Sequence, residues 1–438
     1  MVNDYWEKEV ETLSRDELRK VQLERLKKTL VNVYKNVDFY RKKLDEAGID
    51  PYNFSNLDNV EKIPFTTKDD LRENYPFGLF ARSMDNVTRI HSSSGTTGNP
   101  VVVGYTKNDI AVWGNLIARQ LFSVGVRKKD IIQNSYGYGL FTGGLGLHYG
   151  AELLGSTVIP TSGGNTERQI KIMADYGSTV ICCTPSYILY IAEVGKDLGV
   201  DFSKLPLKMA ILGAEPWTDE MRKEIEARLF IDAIDIYGLS EIIGPGVSFE
   251  CLYKSGLHVA EDHFLVEVVD PQTGKILPPG QQGELVFTTL TKEAIPLLRY
   301  RTRDLSVLNI EKCSCGRTHG RMKKPMGRTD DMLIIRGINV FPSQIEEVLM
   351  KVKEIEPHYL IVVDRKNYLD TIELWVEVPE DVFSEKMNDL ENFESSVEHK
   401  LFSTIGIKID VRLKEPKTIQ RSIGKAKRVL DRRKGETL

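Results

Sequence analysis

Cysteine is scarce in this sequence, with five residues among 438. So few cysteines exclude a disulfide framework and indicate a reducing compartment, so a cytoplasmic location is expected. Neither sign of charge dominates, because 59 basic residues nearly balance 63 acidic ones and leave a net charge of -4. This balance gives no reason to expect a nucleic-acid partner. It leaves open a small anionic ligand at a locally positive site.

Long apolar runs are lacking as well. Residues 131–151 contain no Asp, Glu, Lys or Arg, but they include Gln133, Asn134 and His148 and six glycines. That composition favours a buried strand followed by a glycine-rich loop over a membrane span. The residues after Met1 show no basic-then-apolar pattern, so no secretory signal is expected. Internal repeats and low-complexity segments are also not apparent.

The pattern of short apolar runs and helical stretches over residues 90–250 is typical of an α/β fold. Residues 209–212 run into a turn, and residues 233–236 run into another. Ligands of such sheets bind at the carboxyl ends of the strands, where these turns lie. The first turn contains Gly213, Ala214, Glu215 and Pro216, and the second contains Tyr237, Gly238, Leu239, Ser240 and Glu241.

Two further regions follow. Residues 264–310 alternate apolar and polar side chains between turn sequences, which predicts a small antiparallel β unit. After Gly327, strand patterns near 359–363, 372–378 and 407–413 and a helical pattern near 384–402 predict a smaller α+β domain. A chain of 438 residues is long enough for such a division into more than one core.

One segment is unusually rich in hydroxyl groups and glycine. It comprises Ser92, Ser93, Ser94, Gly95, Thr96, Thr97, Gly98, Asn99 and Pro100. Such a loop can turn amides and hydroxyls toward an anion with little steric hindrance. It is not a Walker loop, because no Gly-Lys-Ser/Thr follows. Taken alone, a cluster of this composition is more often a surface turn.

The order of motifs favours the anion-binding interpretation. The segment resembles the phosphate-binding loop of the acyl-adenylate-forming enzymes, and four other motifs of that family follow in the family's order. They are residues 237–241, 300–304, 327–331 and 424–425. Three further runs, at 136–144, 292–294 and 330–342, resemble the phenylacetate–CoA ligases. This likeness covers nearly the whole chain.

The resemblance implies a large multi-layer α/β adenylation domain over residues 1–328, with the small β unit, and a mobile α+β C-terminal domain over residues 329–438. It also implies an ATP/AMP site. Residues expected to bind the nucleotide are Ser92, Ser93, Ser94, Gly95, Thr96, Thr97, Gly98, Gly213, Ala214, Glu215, Pro216, Tyr237, Gly238, Asp304 and Arg328. Tyr237 offers a ring for adenine, and Asp304 can accept hydrogen bonds from ribose hydroxyls.

Two residues are expected to be catalytic. Glu241 offers hard oxygen ligands for a Mg²⁺ ion that bridges the ATP phosphates. Lys425 follows Gly424 in a sequence similar to the family's lysine motif, and its ammonium would stabilise charge at the α-phosphate. The family usually has Ser or Asn before this glycine, where this chain has Ile423.

The expected reaction is ATP-dependent acid–CoA ligation through an acyl-adenylate, with an aryl or arylalkyl acid bound by Tyr136, Phe141, Ala214, Ile236 and Pro245. Phenylacetate, indoleacetate, a substituted benzoate and a short aliphatic acid all remain open. Asp330 is the expected hinge, with Asp331 as the alternative. Other possible functions are a CoA-independent adenylating ligase and a non-catalytic nucleotide-binding regulator. A homodimer is the common default for such enzymes.

A second kind of site is suggested by three of the cysteines. Cys313 and Cys315 form a short knuckle, and Cys251 and His258 precede them. Three thiolates and one imidazole could hold a structural zinc ion in a closed tetrahedral site. His263 and His319 are alternative fourth ligands at this stage. Cys182 and Cys183 lie in a predicted core strand and are expected to be inert.

Overall fold

The structure is a computed structural model that describes residues 4–93, 99–140, 142–335, 338–366, 369–384, 387–422 and 424–436. The N-terminal region contains helices α1 (Lys8–Glu11), α2 (Arg15–Asn36), α3 (Asp38–Glu46), α4 (Lys68–Glu73), α5 (Lys107–Ser123), α6 (Gly143–Leu154), α7 (Thr166–Asp175), α8 (Pro185–Asp197) and α9 (Asp219–Leu229). Its strands are β1 (Arg89–Ser92), β2 (Val102–Tyr105), β3 (Ile131–Asn134), β4 (Thr157–Ile159), β5 (Val180–Cys183), β6 (Met209–Gly213), β7 (Asp232–Leu239), β8 (Ile243–Glu250), β9 (Leu257–Val259), β10 (Phe264–Val269), β11 (Gln282–Thr289), β12 (Tyr300–Asn309), β13 (Arg321–Met322) and β14 (Gly327–Arg328).

The large sheet has a parallel half and an antiparallel half. Strands β4, β3, β5, β6 and β7 run parallel in that order. β8 and β9 then continue the sheet in antiparallel fashion. β10, β11 and β12 form the expected antiparallel β unit, and pairing of β12 with β13 and of β13 with β9 joins this unit to the rest of the sheet. The α/β fold class is confirmed.

Local sequence explains where several of these elements begin. All four residues of β5 are buried, as expected of an apolar strand covered by helices on both faces. Helix α8 follows with Thr184 as its N-cap, accepting from the amide of Tyr187, and with Pro185 in its first turn. Helix α5 begins in a capping box formed by Thr106 and Asp109. The N-terminus of α8 therefore lies directly after the end of the parallel strand β5.

The C-terminal region forms its own sheet and core. Its elements are β15 (Leu333–Ile335), β16 (Ile338–Val340), α10 (Pro342–Leu349), β17 (Tyr359–Lys366), β18 (Leu369–Glu377), α11 (Glu380–Phe383), α12 (Met387–Ile405), β19 (Asp410–Lys414) and β20 (Val429–Asp431). The four-stranded sheet has the order β19-β18-β17-β20. A cluster of buried side chains that includes Ile345, Ile361 and Val397 joins α10 and α12 to this sheet. The α+β expectation for this region is confirmed.

Within the described residues, none of the helices combines the length and the apolar character that crossing a membrane requires.

Candidate active site

The two ends of the hydroxyl-rich loop are fixed by the β1–β2 hairpin. The amide of Ser92 donates to the carbonyl of Leu140, and the amide of Ser93 donates to the carbonyl of Val101. The Ser93 hydroxyl accepts a hydrogen bond from the Val101 amide at 3.0 Å. The predicted phosphate ligands Ser94, Gly95, Thr96, Thr97 and Gly98 lie outside the described residues. Their contact with phosphate therefore stays a prediction.

Asp304 is the centre of a buried polar cluster on the large sheet. It pairs across β12 and β14 with Arg328, whose Nη1 donates to Asp304 Oδ1 at 3.2 Å. The Tyr237 hydroxyl donates to Asp304 Oδ2 at 2.6 Å. Burial raises the pKa of Asp304 to about 6, although Arg328 and Tyr237 favour the ionised form. We define Asp304, Tyr237 and Arg328 as the ribose cluster, after the role predicted for Asp304.

Tyr237 contributes a hydroxyl group as well as an aromatic ring to this cluster. Its phenol is 9% exposed, and the ring lies 6.2 Å from that of Phe287, centroid to centroid. Stacking against adenine remains a prediction, but the hydrogen bond to Asp304 ties this ring to the residue expected to bind ribose. Gly238 follows in the same strand, where an added Cβ would lie 2.5 Å from the carbonyl oxygen of Ile243. The close approach of β7 and β8 therefore requires glycine here.

Glu241, the predicted magnesium ligand, lies just after β7 and is 7% exposed. Its Oε1 is 3.7 Å from Nζ of Lys68. This separation is longer than a hydrogen bond, so the contact with Lys68 leaves carboxylate lone pairs available to a divalent ion. The donor set therefore fits Mg²⁺, together with the phosphate oxygens that the ion would share.

Lys292 supports this turn, a role that was not predicted from the sequence. Its ammonium donates to the carbonyls of Glu241 and Ile242 at 3.0 and 2.7 Å, and it lies 4.8 Å from the ring of Tyr105. Burial lowers the pKa of Lys292 to about 8. Its signal in the sequence is weak: Lys292 and Glu293 are charged residues between two largely apolar stretches, and a lysine buried there must have acceptors.

The turn after β6 is strained and points toward the C-terminal region. Ala214 has a φ of 72°, which is unfavourable for a residue with a side chain. An added Cβ on Gly213 would lie 2.2 Å from the carbonyl oxygen of Ile236, so only glycine fits. Glu215 accepts from the amides of Ser186 and Ala426, both at 2.7 Å. Pro216, the last residue of the turn, is exposed.

Lys425 is brought to this turn by the residues on either side of it. The carbonyl of Gly424 accepts from the Thr184 hydroxyl at 3.1 Å and from the Ser186 hydroxyl at 3.4 Å. The Ala426 amide binds Glu215. Lys425 itself is exposed. Its charge is close enough to Asp304 to favour the ionised form of that carboxyl and so to lower its pKa.

The contacts of Thr184 and Ser186 were not foreseen from the sequence. Both residues lie at the start of α8. The Thr-Pro-Ser sequence predicts the start of a helix, but it does not indicate a contact with another domain. Ile423, where this chain departs from the family's motif, lies outside the described residues.

The predicted acid pocket lies at the ends of neighbouring strands. Ile236 on β7 pairs with Gly213 on β6, next to Ala214. Pro245 on β8 approaches Gly238 on β7. Tyr136, which follows β3, is 5% exposed, and its hydroxyl has no hydrogen-bond partner among the described residues. Phe141 lies outside the part of the chain that the structure describes. The four described residues are consistent with one apolar wall, and their contact with an acid stays a prediction.

Asp330, the predicted hinge, is engaged with the ribose cluster. Both of its carboxylate oxygens accept from Arg328, at 2.9 and 3.1 Å. Burial would raise the pKa of Asp330, but the Arg328 guanidinium holds it below its ordinary value. Asp331 is more exposed, and its carboxylate lies 3.6 Å from Arg328. Arg328 therefore links the predicted ribose ligand to the predicted pivot.

The predicted zinc ligands are brought together from three segments. Cys251, His258, Cys313 and Cys315 place their ligand atoms within 4.8 Å of one another. Sγ of Cys251 is 3.8 Å from Sγ of Cys313, and Sγ of Cys315 is 3.5 Å from Nε2 of His258. Tetrahedral zinc with ordinary bond lengths would give separations of roughly 3.8 Å between two sulfurs and roughly 3.6 Å between sulfur and nitrogen. The donor set and its spacing fit zinc.

The alternative histidines are occupied elsewhere. His319 places its two ring nitrogens on the carbonyls of Val259 and Val10, at 3.2 and 3.1 Å. His263 has one ring nitrogen 2.7 Å from the Thr291 hydroxyl and the other 3.1 Å from Asp262. The geometry therefore favours His258 as the fourth ligand.

Two family models match the chain. The family model described as "AMP-binding enzyme" matches residues 11–290, and the one described as "AMP-binding enzyme C-terminal domain" matches residues 337–433. The first alone covers more than half of the chain. The first match contains strands β3 to β11 of the large sheet, and the second contains the four-stranded sheet of the C-terminal region.

Curated relatives match over nearly their whole length. Phenylacetate–coenzyme A ligase of Thermus thermophilus is 53% identical, covering 98% of this chain and 100% of the relative. Phenylacetate–coenzyme A ligase of Escherichia coli strain K12 is 51% identical, covering 97% of each. Identity at this level over full length leaves no large region of the chain without a counterpart.

Solved structures of 2-hydroxyisobutyryl-CoA ligase also match. In its postadenylation state with an acyl-AMP, that enzyme gives a TM-score of 0.93 at 28% identity, covering 98% of this chain and 93% of the other. In its thioesterification state with CoA, it gives 0.72 at 29% identity, covering 98% and 92%. The chain therefore belongs to the phenylacetate–coenzyme A ligase family of AMP-binding enzymes.

Proposed function

We propose that this AMP-forming acid–CoA ligase activates phenylacetate or a closely related arylalkyl acid. One observation carries the proposal: the segment around Lys425, residues 424–426 (the Lys425 loop), contacts Glu215 after β6 and lies near Asp304 of the ribose cluster. The identity to phenylacetate–coenzyme A ligases over the full length supports the choice of acid.

In the first half-reaction, an oxygen of the acid's carboxylate attacks the α-phosphorus of ATP. A bond from that oxygen to phosphorus forms, the bond from the α-phosphorus to the bridging oxygen breaks, and pyrophosphate leaves with the electron pair. Negative charge on the α-phosphate oxygens grows in the transition state, so an ammonium at Lys425 would stabilise it more than it stabilises bound ATP. The ribose cluster would hold the sugar, with Asp304 as acceptor.

Glu241 would hold Mg²⁺ in this step. When bound, the ion neutralises phosphate charge and so helps pyrophosphate to depart. The contribution of the chain is to fix the carboxylate, because the two carbonyl hydrogen bonds from Lys292 immobilise the turn that carries it.

In the second half-reaction, the CoA thiol gives up its proton to solvent and its sulfur bonds to the acyl carbonyl carbon. The bond from that carbon to the phosphate oxygen breaks, and AMP leaves with the electron pair. We infer that the C-terminal region rotates about Asp330 between the steps, over a boundary between domains near residues 328 and 329. Support comes from 2-hydroxyisobutyryl-CoA ligase, whose two catalytic states resemble this chain to different degrees. Rotation would withdraw Lys425, which the thioester step does not need.

The acid would be bound by the apolar wall of Tyr136, Ala214, Ile236 and Pro245. An aryl ring gains most from such a wall because it buries a large apolar area. The Tyr136 hydroxyl, for which the described part of the chain offers no hydrogen-bond partner, would be the polar point of the pocket.

A zinc ion held by Cys251, His258, Cys313 and Cys315 would be structural, because four protein ligands leave no open position. It would tie the segment after β8 to the segment after β12. Metal analysis of protein purified without added metal should find about one zinc per chain, and Cys315→Ser should lose it and unfold at a lower temperature. The matched variant Cys182→Ser changes a buried cysteine of β5 and should retain the metal. Less than about a tenth of an equivalent in folded wild-type protein would contradict the site.

The test of function is AMP release from ATP with a panel of carboxylic acids, with and without CoA. Phenylacetate should give the highest rate, and the rate should require CoA. Release that does not need CoA would favour the alternative of a CoA-independent adenylating ligase. Nucleotide binding without any turnover would favour a regulator. A clear preference for a short aliphatic acid would overturn the proposed substrate class.

A further inference from the structure

Arg421 joins the C-terminal region to helix α8 beside the Lys425 loop. Its guanidinium donates from Nε and Nη2 to the two carboxylate oxygens of Glu193, at 2.9 and 2.7 Å. From Nη1 and Nη2 it also donates to both oxygens of Glu377, at 2.8 Å each. One side chain thus makes two bidentate contacts, which only the planar fork of arginine allows.

The two carboxylates belong to different regions of the molecule. Glu377 ends β18, is fully buried, and also accepts from the amides of Lys417 and Ile419. It therefore shapes the segment that leads to Lys425 and would move with it. Glu193 lies on α8 of the N-terminal region, and its side chain is 18% exposed. Rotation of the C-terminal region would keep the contact with Glu377 and break the one with Glu193.

Helix α8 holds this segment at two points. Its first turn contacts Gly424 through Ser186, and Glu193 lies about two helical turns further along the same face. Arg421 precedes Lys425 by four residues. The chain is therefore anchored on both sides of Lys425. Before it, Arg421 pairs with Glu193, and after it, the Ala426 amide donates to Glu215.

The positive charge opposite Glu193 comes from Arg421 rather than from its other neighbour. His358 lies 3.5 Å from Glu193. Burial, reinforced by the charges of Arg421 and Arg428, lowers the pKa of His358 to about 2. The neutral imidazole is thereby favoured, and Arg421, at 2.7 Å, is the cation that pairs with the Glu193 carboxylate.

We propose that the Glu193–Arg421 pair positions Lys425 for acyl-adenylate formation and has no part in thioester formation. The inference rests on the proposed two-step function and adds two positioning residues to it. Removing the Glu193 charge would lower the occupancy of the arrangement in which Lys425 reaches the α-phosphate. It would leave the Arg421–Glu377 contact, and so the folding of the C-terminal region, unchanged.

The chain offers a matched control one turn along α8. Asp197 pairs with Lys417 at 2.6 Å, again between the same two regions, but the side chains are 52% and 60% exposed. Exposed pairs contribute little, whereas partly buried bidentate pairs contribute more. Glu193→Gln and Asp197→Asn therefore remove equivalent charges from the same helix with different expected consequences.

The experiment measures each half-reaction separately in the full-length protein. ATP–pyrophosphate exchange with phenylacetate reports the first step, and transfer from supplied phenylacetyl-adenylate to CoA reports the second. Glu193→Gln should slow exchange about tenfold, as expected for loss of a charge-assisted bidentate contact, and leave transfer within about twofold of wild type. Asp197→Asn should change each rate by less than about twofold.

Three results would overturn the inference: equal slowing of both steps by Glu193→Gln, no slowing of either, or the same slowing of exchange by Asp197→Asn. Thermal unfolding of both variants is measured alongside, and a loss of stability specific to Glu193→Gln would also count against a positioning role. Wild-type protein that performed neither step would instead contradict the proposed function itself.

Discussion

The ribose cluster and the Lys425 loop are held in contrasting ways. Asp304 sits within a strand, opposite Arg328 in the β12–β14 register, and is 4% exposed. Lys425 lies in a segment between β19 and β20, is exposed, and is placed by backbone contacts of Gly424 and Ala426 with another region. The first arrangement is part of a core, and the second is a docking contact.

This difference matches what the two half-reactions require. Both steps need the nucleotide to be held, so its ligands belong on a rigid sheet. In the proposed mechanism only the first step needs Lys425, so its contacts must be strong enough to place it and weak enough to be broken. Three hydrogen bonds and a few ion pairs meet that condition, because each contributes only about 1 kcal/mol in net terms.

Removing the lysine ammonium should have the largest effect. Lys425→Ala should slow ATP–pyrophosphate exchange by about a hundredfold to a thousandfold, since a preorganised charge at the reacting phosphate is lost. Transfer of supplied acyl-adenylate to CoA should change little. Lys427→Ala is the control, because Lys427 is 62% exposed and pairs with Glu436 in the same segment. Equal loss in both half-reactions would show that the lysine is not confined to the first.

Lys292→Met should have an intermediate effect. It tests the part of the site that is built on the large sheet. The substitution preserves length but leaves the carbonyls of Glu241 and Ile242 without this donor. We expect exchange to fall by about tenfold and the Mg²⁺ concentration for half-maximal rate to rise, because the Glu241 turn would loosen.

Lys171→Met, at a lysine that is 75% exposed, provides the control for Lys292→Met. An unchanged rate with an unchanged Mg²⁺ requirement would show that Lys292 does not support the metal-binding turn.

The pH dependence of ribose binding should be the smallest effect. Because the pKa of Asp304 is raised to about 6, its ionised form is lost as pH falls through that value. Binding of adenosine, which has no phosphate to titrate, should weaken by about tenfold between pH 7 and pH 5. The same shift has the opposite sign for folding: its contribution to stability is present at acid pH and is lost as pH rises through 6.

Calorimetric titration with adenosine measures the pH dependence, and Asp304→Asn should bind weakly at both pH values. Binding that is independent of pH in the wild type would mean that the carboxyl stays ionised.

The strand ends that bear the site were predictable from local pattern. The buried run of β5 and the turns after β6 and β7 were found because apolar strands and their polar turns alternate visibly in the sequence. The four predicted zinc ligands were singled out because cysteine is rare in the chain. The choice of His258 over His319 was not predictable, because it depends on which imidazole faces the thiols after folding.

The contacts between the N-terminal and C-terminal regions could not be predicted from local sequence patterns. Glu193, Thr184 and Ser186 look like ordinary helix residues, and their partners lie more than two hundred residues away in the chain. In the sequence, Lys292 resembles a surface lysine, and only the folded structure shows that its side chain is buried.

The sequence by itself determined the family and the α/β and α+β regions, and it led to the prediction of Lys425, Glu241 and Asp304 as site residues, because all of these follow from motifs and periodicity within short stretches. Only the tertiary structure decided that Tyr237 and Arg328 share Asp304, that Lys292 fixes the Glu241 turn, and that Arg421 divides its guanidinium between Glu377 and Glu193. These contacts join distant segments, and their energies depend on burial and geometry that no local pattern carries.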